Sequence, residues 1–281
     1  LRMSKSNTFG IIVPDVTNSY YNEMIKHTEI IARQHGYFFF VCNAIHDPVL
    51  EDWYITSLIQ NKVAGVLIGY GLTNPEPLQK LERYNVPFVV LDDDPNEVCK
   101  DAPRILMNNI KGSFLAVQHF VSLGISDIAY VTEPLYNLAL RHRFDGFKKA
   151  IDDFGLRCAG MFVAENTGEY DNVTQGYVVA GQMLAQVKPR AVFVSTDQMA
   201  LGVLRKLREL RINVPGEIAV IGYDDIPMAS IVRPSLTTIS QPAQTMCILG
   251  TKCLLNAIEG HKEPNYRLVL EPSIVIRESA P

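Results

Sequence analysis

Long apolar runs are absent from the sequence, and none reaches the ~18 residues that a membrane-spanning helix requires. The amino terminus, LRMSKSN, is polar and has no apolar segment of the kind that a secretory signal peptide carries. A mature secreted protein would also lack that segment, so its absence does not decide the compartment. From these two features we expect no membrane partner.

Cysteine is scarce and follows no pattern. The sequence has five cysteines, an odd number, and no two of them form a Cys-x-x-Cys motif. This usage favours small buried thiols in a reducing compartment over a framework of disulfide bonds.

An excess of positive charge is also lacking. The chain has 26 Lys and Arg against 30 Asp and Glu, which gives a formal net charge of −4. That balance excludes the generally basic surface that binds nucleic acid or acidic lipid. With 281 residues, 47% hydrophobic and 20% charged, the composition is that of a globular protein with one large domain or two of ordinary size.

Motifs of the common catalytic classes are missing. The sequence has no Gly-x-Ser-x-Gly, no His-Glu-x-x-His, no Walker phosphate loop and no Gly-x-Gly-x-x-Gly that opens a helix after the first strand. Its histidines are not spaced as metal ligands, and the acidic runs 92–94 and 224–225, which could hold Mg²⁺, have no phosphate-binding loop beside them. We therefore expect a protein that is not an enzyme and has no catalytic residue, cofactor or metal site.

The sequence is rich, by contrast, in short apolar runs that alternate with longer amphipathic ones. The apolar runs predict strands over 8–14, 37–42, 64–70, 87–92, 127–133, 191–197 and 217–224. The amphipathic runs predict helices over 18–36, 49–61, 75–84, 108–124, 138–155, 172–187 and 197–210. Two such series in succession predict an α/β fold with two doubly wound parallel-sheet lobes.

The residues after 240 are too few for a third domain. They predict a helix over 242–259 and two strands over 267–271 and 273–278. We expect this tail to complete the first lobe and then return to the second, so that several connections form a hinge. The predicted lobes are therefore 8–106 with 241–270 at the amino-terminal side, and 107–240 with 271–281 at the carboxyl-terminal side.

Polar and aromatic side chains follow most of the predicted strands. Because ligands of open α/β sheets bind beyond the carboxyl ends of the strands, these side chains are candidates for ligand binding. The candidates are Asn18, Tyr20, Tyr21, Asp92, Arg141, Arg143, Thr196, Asp224 and Gln241.

Each candidate also has a structural alternative. The tyrosines can staple the start of a helix, the aspartates can cap a helix or form a turn, and the arginines can lie on a solvated helix face. The convergence of several strand ends on one edge favours a binding site. Its mixture of carboxylate, guanidinium and aromatic groups suits a neutral polyhydroxyl ligand such as a sugar.

Several longer motifs occur in a fixed order along the chain. They are NTFGIIVPDVTNSYYNEM, NNIKGSFLAVQHFVSLGISDIAYV, RFDGFKKAI, STDQMALGVLRKL, IAVIGYDDIPMASIVRPSLTTISQP and PSIVIRES. Over roughly residues 7–281 the chain thereby resembles the effector-binding core of the lactose/galactose-repressor family of bacterial transcription regulators. That core shares its fold with periplasmic sugar-binding proteins.

The resemblance implies that all nine candidates line the effector site, and it adds Tyr170 as an aromatic that stacks on the effector. Two positions depart from the family pattern. Thr196 stands where the family carries asparagine, and Asp93 stands where many relatives carry arginine. An anion in place of a cation at position 93 speaks against an anionic effector.

The resemblance also implies partners. A small-molecule effector, expected to be a carbohydrate, binds between the lobes, and the resulting lobe closure modulates binding to operator DNA. A homodimer in the cytoplasm is expected. Family members begin with a helix-turn-helix headpiece of roughly sixty residues, which is absent from this sequence, and residues 1–7 resemble the end of the linker that follows it. The alternative is a periplasmic sugar-binding component of a transporter, which the carboxyl-terminal motifs disfavour.

Overall fold

The computed structural model of the chain describes residues 6–92, 98–99, 101–165, 171–261 and 265–281. The chain forms two compact units. The first unit comprises Leu1–Met107 with Pro242–Leu270, and the second comprises Asn108–Gln241 with Glu271–Pro281. The chain therefore passes from one unit to the other three times.

The first unit is built on a parallel sheet. Its strands are β1 (Thr8–Val13), β2 (Phe38–Asn43), β3 (Val66–Ile68), β4 (Phe88–Asp92), β5 (Arg104–Met107) and β11 (Arg267–Leu270). Its helices are α1 (Ser19–Gln34), α2 (Pro48–Gln60), α3 (Leu78–Arg83) and α9 (Ala243–Ile258). The described strands lie in the order β11-β5-β4-β3-β1-β2, and all neighbouring pairs are parallel.

Helices cover both faces of this first sheet. On one face, Ile12, Ile68 and Val90 pack with Ile55 of α2 and Leu81 of α3 in a single buried cluster. On the other face, α9 packs against β3, β4 and β5, and it also packs against α1. Because both faces are covered, the central strands read as continuous apolar runs rather than as alternating ones.

The second unit repeats this plan. Its strands are β6 (Asp127–Thr132), β7 (Arg157–Val163), β8 (Ala191–Val194), β9 (Ala219–Asp224), β10 (Thr237–Ser240) and β12 (Ser273–Val275). Its helices are α4 (Asn109–Ser122), α5 (Leu138–Asp153), α6 (Asn172–Gln186), α7 (Asp197–Glu209) and the short α8 (Pro227–Ile231). The described strands lie in the order β12-β10-β9-β8-β6-β7, and only β12 is antiparallel to its neighbour.

The core of the second unit is rich in aromatic rings. Phe147 of α5 stacks on Tyr130 of β6 with ring centroids 4.9 Å apart, and both rings are buried. Each such ring contributes about 1.5–3 kcal/mol to stability through burial alone. Helices α6 and α7 approach closely because Gly202 lies against the backbone carbonyl of Val173, where a Cβ atom would have no room.

The predicted fold class is confirmed: each sheet is dominated by parallel strands and flanked by helices. Four elements were not predicted, and one of them is β10, which has only four residues. β5 was not predicted because the charged Arg104 interrupts its apolar pattern. The buried guanidinium of Arg104 donates to the carbonyls of Val98, Cys99 and Ala102. β7 is a partly exposed edge strand that contains Gly160, and α8 has only five residues.

Candidate functional site

Buried polar side chains gather at the carboxyl edge of the second sheet. The strand order reverses at β6, which lies between β7 and β8, and doubly wound sheets bind ligands at such a switch point. Glu133 follows β6, Thr196 follows β8, Asp224 ends β9 and Gln241 follows β10. All four side chains are buried. Charged groups are seldom buried unless they are paired, so their partners define what this edge can do.

Arg143 of α5 lies at the centre of this group. Its Nε donates to Asn109 Oδ1 at 3.0 Å, and its Nη1 donates to the carbonyl of Ser195 at 2.7 Å and to Asp224 Oδ1 at 3.4 Å. Its Cζ lies 3.8 Å from the ring centroid of Tyr223, a cation–π distance. The guanidinium is thus fixed in position and orientation before any ligand arrives.

Asp224 links this arginine to Gln241. Its Oδ1 also accepts a hydrogen bond from Gln241 Nε2 at 2.7 Å. The Oε1 of Gln241 is buried and has no hydrogen-bond partner among the residues that the structure describes. A buried acceptor without a donor is costly, and a ligand hydroxyl would satisfy it.

A third buried acidic residue, Asp197, lies at the start of α7 beside this edge. Its Oδ1 accepts the hydroxyl of Thr238 at 2.6 Å, and its Oδ2 accepts the backbone N–H of Ile226 at 3.0 Å. Burial, followed by the negative charge of Asp224, raises the pKa of Asp197 well above its ordinary value. These bonds tie α7 and β10 to the turn that follows β9.

Thr196 has partners within the second unit. Its side chain caps α7 by accepting from the backbone N–H of Met199 at 3.5 Å, and its hydroxyl donates to Glu133 Oε1 at 3.4 Å. Glu133 also accepts from Asn172 Nδ2 at 3.2 Å. Thr196 therefore both begins a helix and joins the polar edge.

Arg141 lies in a different environment from Arg143, although both are on α5. Arg141 is exposed, and its Nε donates to the carbonyl of Leu135 at 2.9 Å, in the loop before its own helix. The contact holds the loop between β6 and α5. A ligand role for Arg141 stays a prediction.

The candidates of the first unit lie at the ends of β1 and β4. Asn18 caps α1 by accepting from the N–H of Tyr20 at 3.0 Å, and the rings of Tyr20 and Tyr21 meet edge to face at 5.1 Å. Tyr20 is buried, whereas Tyr21 is half-buried and packs against the cluster under α2 and α3. Asp92 is buried at the last position of β4 with a φ of +72°, in the left-handed region that favours glycine.

Sequence reasoning missed a polar cluster in the first unit. The carboxylate of Glu51, in the first turn of α2, is fully buried and accepts the hydroxyl of Tyr70 at 2.6 Å and the N–H of Thr73 at 3.0 Å. The ring of His46 meets that of Tyr70 edge to face at 5.3 Å. The cluster joins the loops after β2 and β3 at the carboxyl edge of the sheet. No motif marks these residues, because they come together only through the fold.

Some predicted positions lie outside the described residues, namely Tyr170, Asp93 and residues 1–5 of the predicted linker. Within the described part of the chain, no three His, Cys, Asp or Glu side chains are grouped so that they could hold a metal ion. No helix in that same part is long and apolar enough to cross a membrane.

Known proteins resemble this chain along nearly its whole length. Residues 117–280 match a family model described as a periplasmic binding protein-like domain. The chain is 32% identical to the ribose operon repressor of Escherichia coli, over 100% of this chain and 84% of that protein.

Solved structures show the same likeness. A LacI family transcriptional regulator from Enterococcus faecium with bound ribose superposes with a TM-score of 0.86 at 26% identity, over 97% of this chain and 98% of that one. The lac repressor dimer bound to operator and an anti-inducer gives a TM-score of 0.86 at 25% identity, over 99% and 95% of the two chains. These relatives are transcription regulators rather than enzymes.

Proposed function

The chain belongs to the lactose/galactose-repressor family of bacterial transcription regulators, and on that premise we propose that its effector is a small neutral sugar. The regulator predicted from the motifs, and not the transporter component, is the function that the relatives support. The effector would modulate binding of the regulator to operator DNA.

The observation that carries the sugar proposal is the buried edge formed by Arg143, Asp224 and Gln241. Arg143 and Asp224 have side chains only 6% and 4% exposed, and their charges compensate each other. Gln241 adds an acceptor that has no partner among the described residues. Such a set offers directional hydrogen bonds without a net charge, as the hydroxyls of a sugar require.

The charge balance of the second unit argues against a phosphorylated or otherwise anionic effector. Glu133, Asp197 and Asp224 are all buried at this edge, whereas Arg143 is the one buried cation that the structure describes there. An added anion would be desolvated among these carboxylates, at a cost that a single guanidinium does not offset.

D-ribose is the first candidate within this class. One relative is a ribose operon repressor, and a second, of known structure, holds ribose. For the first unit we assign effector contacts to Asn18, Tyr20, Tyr21 and Asp92, and of the two tyrosines we favour the more exposed Tyr21. Thr196 and Tyr170 keep the roles that the resemblance implies.

Calorimetry with D-ribose and D-ribose 5-phosphate tests the proposal. We expect the neutral sugar to bind and the phosphate ester to bind at least ten-fold more weakly. Arg143→Lys and Asp224→Asn should each weaken D-ribose binding by at least ten-fold. Asp224→Asn removes one charge of the buried pair, and Arg143→Lys keeps the charge but loses the planar fork that donates to several acceptors at once. Lys149→Gln, on the exposed side of α5 in a surface pair with Asp153, is the matched control and should bind as the wild type does.

Two results would refute the assignment. If both Arg143→Lys and Asp224→Asn bind D-ribose as tightly as the wild type does, these residues do not form the effector site. Tighter binding of the phosphate ester than of any pentose, hexose, disaccharide or nucleoside in a thermal-shift screen would remove the neutral-sugar class, because tight ligands raise the melting temperature by mass action.

We further propose a homodimer on operator DNA in the cytoplasm. The lac repressor, a dimer bound to its operator, supports the first two points. The five cysteines support the third, since all are free thiols. Sedimentation equilibrium should give twice the chain mass; a monomer at micromolar concentration would contradict the dimer.

A further inference from the structure

The turn that presents Asp224 has an unusual backbone. Asp224 has a φ of +119° and Asp225 a φ of +58°, two successive non-glycine residues in the region that favours glycine. Such a conformation persists only where the surrounding structure imposes it. The contacts of this turn therefore decide where the Asp224 carboxylate points.

Two groups hold the turn from different elements. Asp197 accepts the backbone N–H of Ile226 at 3.0 Å and thereby fixes the far end of the turn. Arg277, in the carboxyl-terminal segment after β12, donates from Nη2 to Asp225 Oδ1 at 2.6 Å. The side chains of Arg277 and Asp225 are only 19% and 24% exposed, so solvent screens this ion pair less than it screens a surface pair.

Arg277 is itself held in place. Its Nη1 donates to the carbonyl of Leu236 at 2.9 Å, and its backbone N–H donates to Thr237 Oγ1 at 2.8 Å. These contacts anchor the guanidinium to the start of β10. The planar group bridges that strand and the turn, which a lysine ammonium can do only in part.

Charge gives Arg277 a second effect on the turn. Burial, the charge of Asp224 and the charge of Asp225 all raise the pKa of Asp197, so the negative charges at this corner disfavour one another. Arg143 is paired with Asp224, and Arg277 is paired with Asp225. Without Arg277, both the strain of the backbone and the repulsion would favour a turn that opens and moves Asp224 away from Arg143.

We propose that Arg277 is a positioning residue for effector binding: its ion pair with Asp225 holds the strained turn that directs Asp224 toward Arg143 and Gln241. The inference rests on the proposed function, because it assigns Arg277 to the same site. In this proposal Arg277 does not contact the effector and acts only through Asp225 and Asp224.

The test compares four single variants and one double variant by calorimetry with D-ribose. Arg277→Gln removes the charge, and Arg277→Lys keeps it without the planar fork. Asp225→Asn removes the partner charge while asparagine still tolerates a positive φ. The matched control is Arg157→Gln, because Arg157 also pairs with an aspartate of this unit, Asp127, but at the amino-terminal ends of β6 and β7.

We expect Arg277→Gln and Asp225→Asn each to weaken D-ribose binding by about ten-fold, Arg277→Lys to fall between Arg277→Gln and the wild type, and Arg157→Gln to stay within two-fold of the wild type. The double variant Asp225→Asn/Arg277→Gln should bind no more weakly than either single variant, since both break one contact. An Arg277→Gln variant that binds within two-fold of the wild type would overturn the proposal, even if its melting temperature fell.

Hydrogen exchange separates this inference from the proposed function. In the absence of sugar, peptides spanning residues 222–228 should exchange faster in Arg277→Gln than in Arg157→Gln. The reason is that an opened turn weakens the hydrogen bond from the N–H of Ile226 to Asp197. If the wild type fails to bind D-ribose, the ribose assignment fails, and faster exchange still supports the role of Arg277 in the turn. Equal exchange in the two variants would overturn that role.

Discussion

Replacing Glu51 should destabilise the first unit far more than replacing an exposed glutamate. Its carboxylate is fully buried and accepts three hydrogen bonds: from the hydroxyl of Tyr70 at 2.6 Å, from the N–H of Thr73 at 3.0 Å and from the N–H of Asn74 at 3.2 Å. All three donors belong to the loop after β3, which packs on α2. Because this packing limits their access to water, each donor needs an acceptor within the protein. The carboxylate thus holds the loop after β3.

The expected cost follows from counting these bonds. Tyr70→Phe removes one hydrogen bond to a charged group, which contributes about 1.5–3 kcal/mol. Glu51→Gln keeps the shape but turns an N–H toward a backbone N–H, at a cost of about 2–3 kcal/mol. Glu51→Ala leaves three donors without an acceptor and should cost at least about 4 kcal/mol.

Urea denaturation followed by tryptophan fluorescence measures these costs in the first unit alone. The chain has one tryptophan, Trp53, which lies on α2 two residues after Glu51 and is 58% exposed. At an m-value of about 2 kcal/mol per molar urea, a loss of 2 kcal/mol lowers the midpoint by about 1 M. The matched control is Glu29→Gln, an exposed glutamate of α1 paired with Arg33, which should stay within about 0.5 kcal/mol of the wild type.

A double-mutant cycle decides whether the hydroxyl of Tyr70 and the carboxylate of Glu51 interact as described. The double variant Tyr70→Phe/Glu51→Ala, in which neither side chain can form this bond, should show a coupling of about 1.5 kcal/mol or more. A coupling below about 0.5 kcal/mol, or a Glu51→Gln midpoint equal to that of Glu29→Gln, would refute the reasoning.

Three further predictions concern packing, pH and thiol chemistry. Gly202→Ala should destabilise the second unit by about 2 kcal/mol or more in thermal unfolding, because a Cβ would meet the carbonyl of Val173, whereas Gly181→Ala, which meets only a flexible lysine side chain at 3.1 Å, should be neutral or stabilising. Burial lowers the pKa of His46 from 6.5 to about 3, so below pH 6.5 the unfolded chain binds a proton that the folded chain does not. Stability of the first unit should therefore fall by about 2 kcal/mol from pH 7 to pH 5, and His46→Asn should show a smaller fall in the urea midpoint. Cys158, the exposed thiol, should react first with a disulfide reagent, and Cys158→Ser should remove that fast phase.

Most helices and central strands could be predicted because their apolar periodicity is strong. The helix predicted over 138–155 is Leu138–Asp153 in the structure, and the strand predicted over 8–14 is Thr8–Val13. Prediction failed where burial and polarity conflict. Arg104 is charged and yet buried in β5. Its guanidinium donates to the backbone carbonyls of Ala102 and Cys99, and an apolar pattern in the sequence does not show such contacts. Strand β7 was not predicted for a different reason: it lies at the edge of the sheet and is only partly buried, so its sequence is not a continuous apolar run.

The sequence by itself determined most of the strands and helices, the family, and the residues that follow the predicted strands, because periodicity, caps and ordered motifs are local properties of the chain. Only the tertiary structure decided which of those residues meet. Arg143 is bonded to Asn109, 34 residues away, and to Asp224, 81 residues away, and Arg277 reaches Asp225 across 52 residues. The physical reason is that a side chain takes its partner from whichever helix, strand or turn lies beside it in the fold, and the crossover connections of a parallel sheet place such neighbours far apart in the sequence.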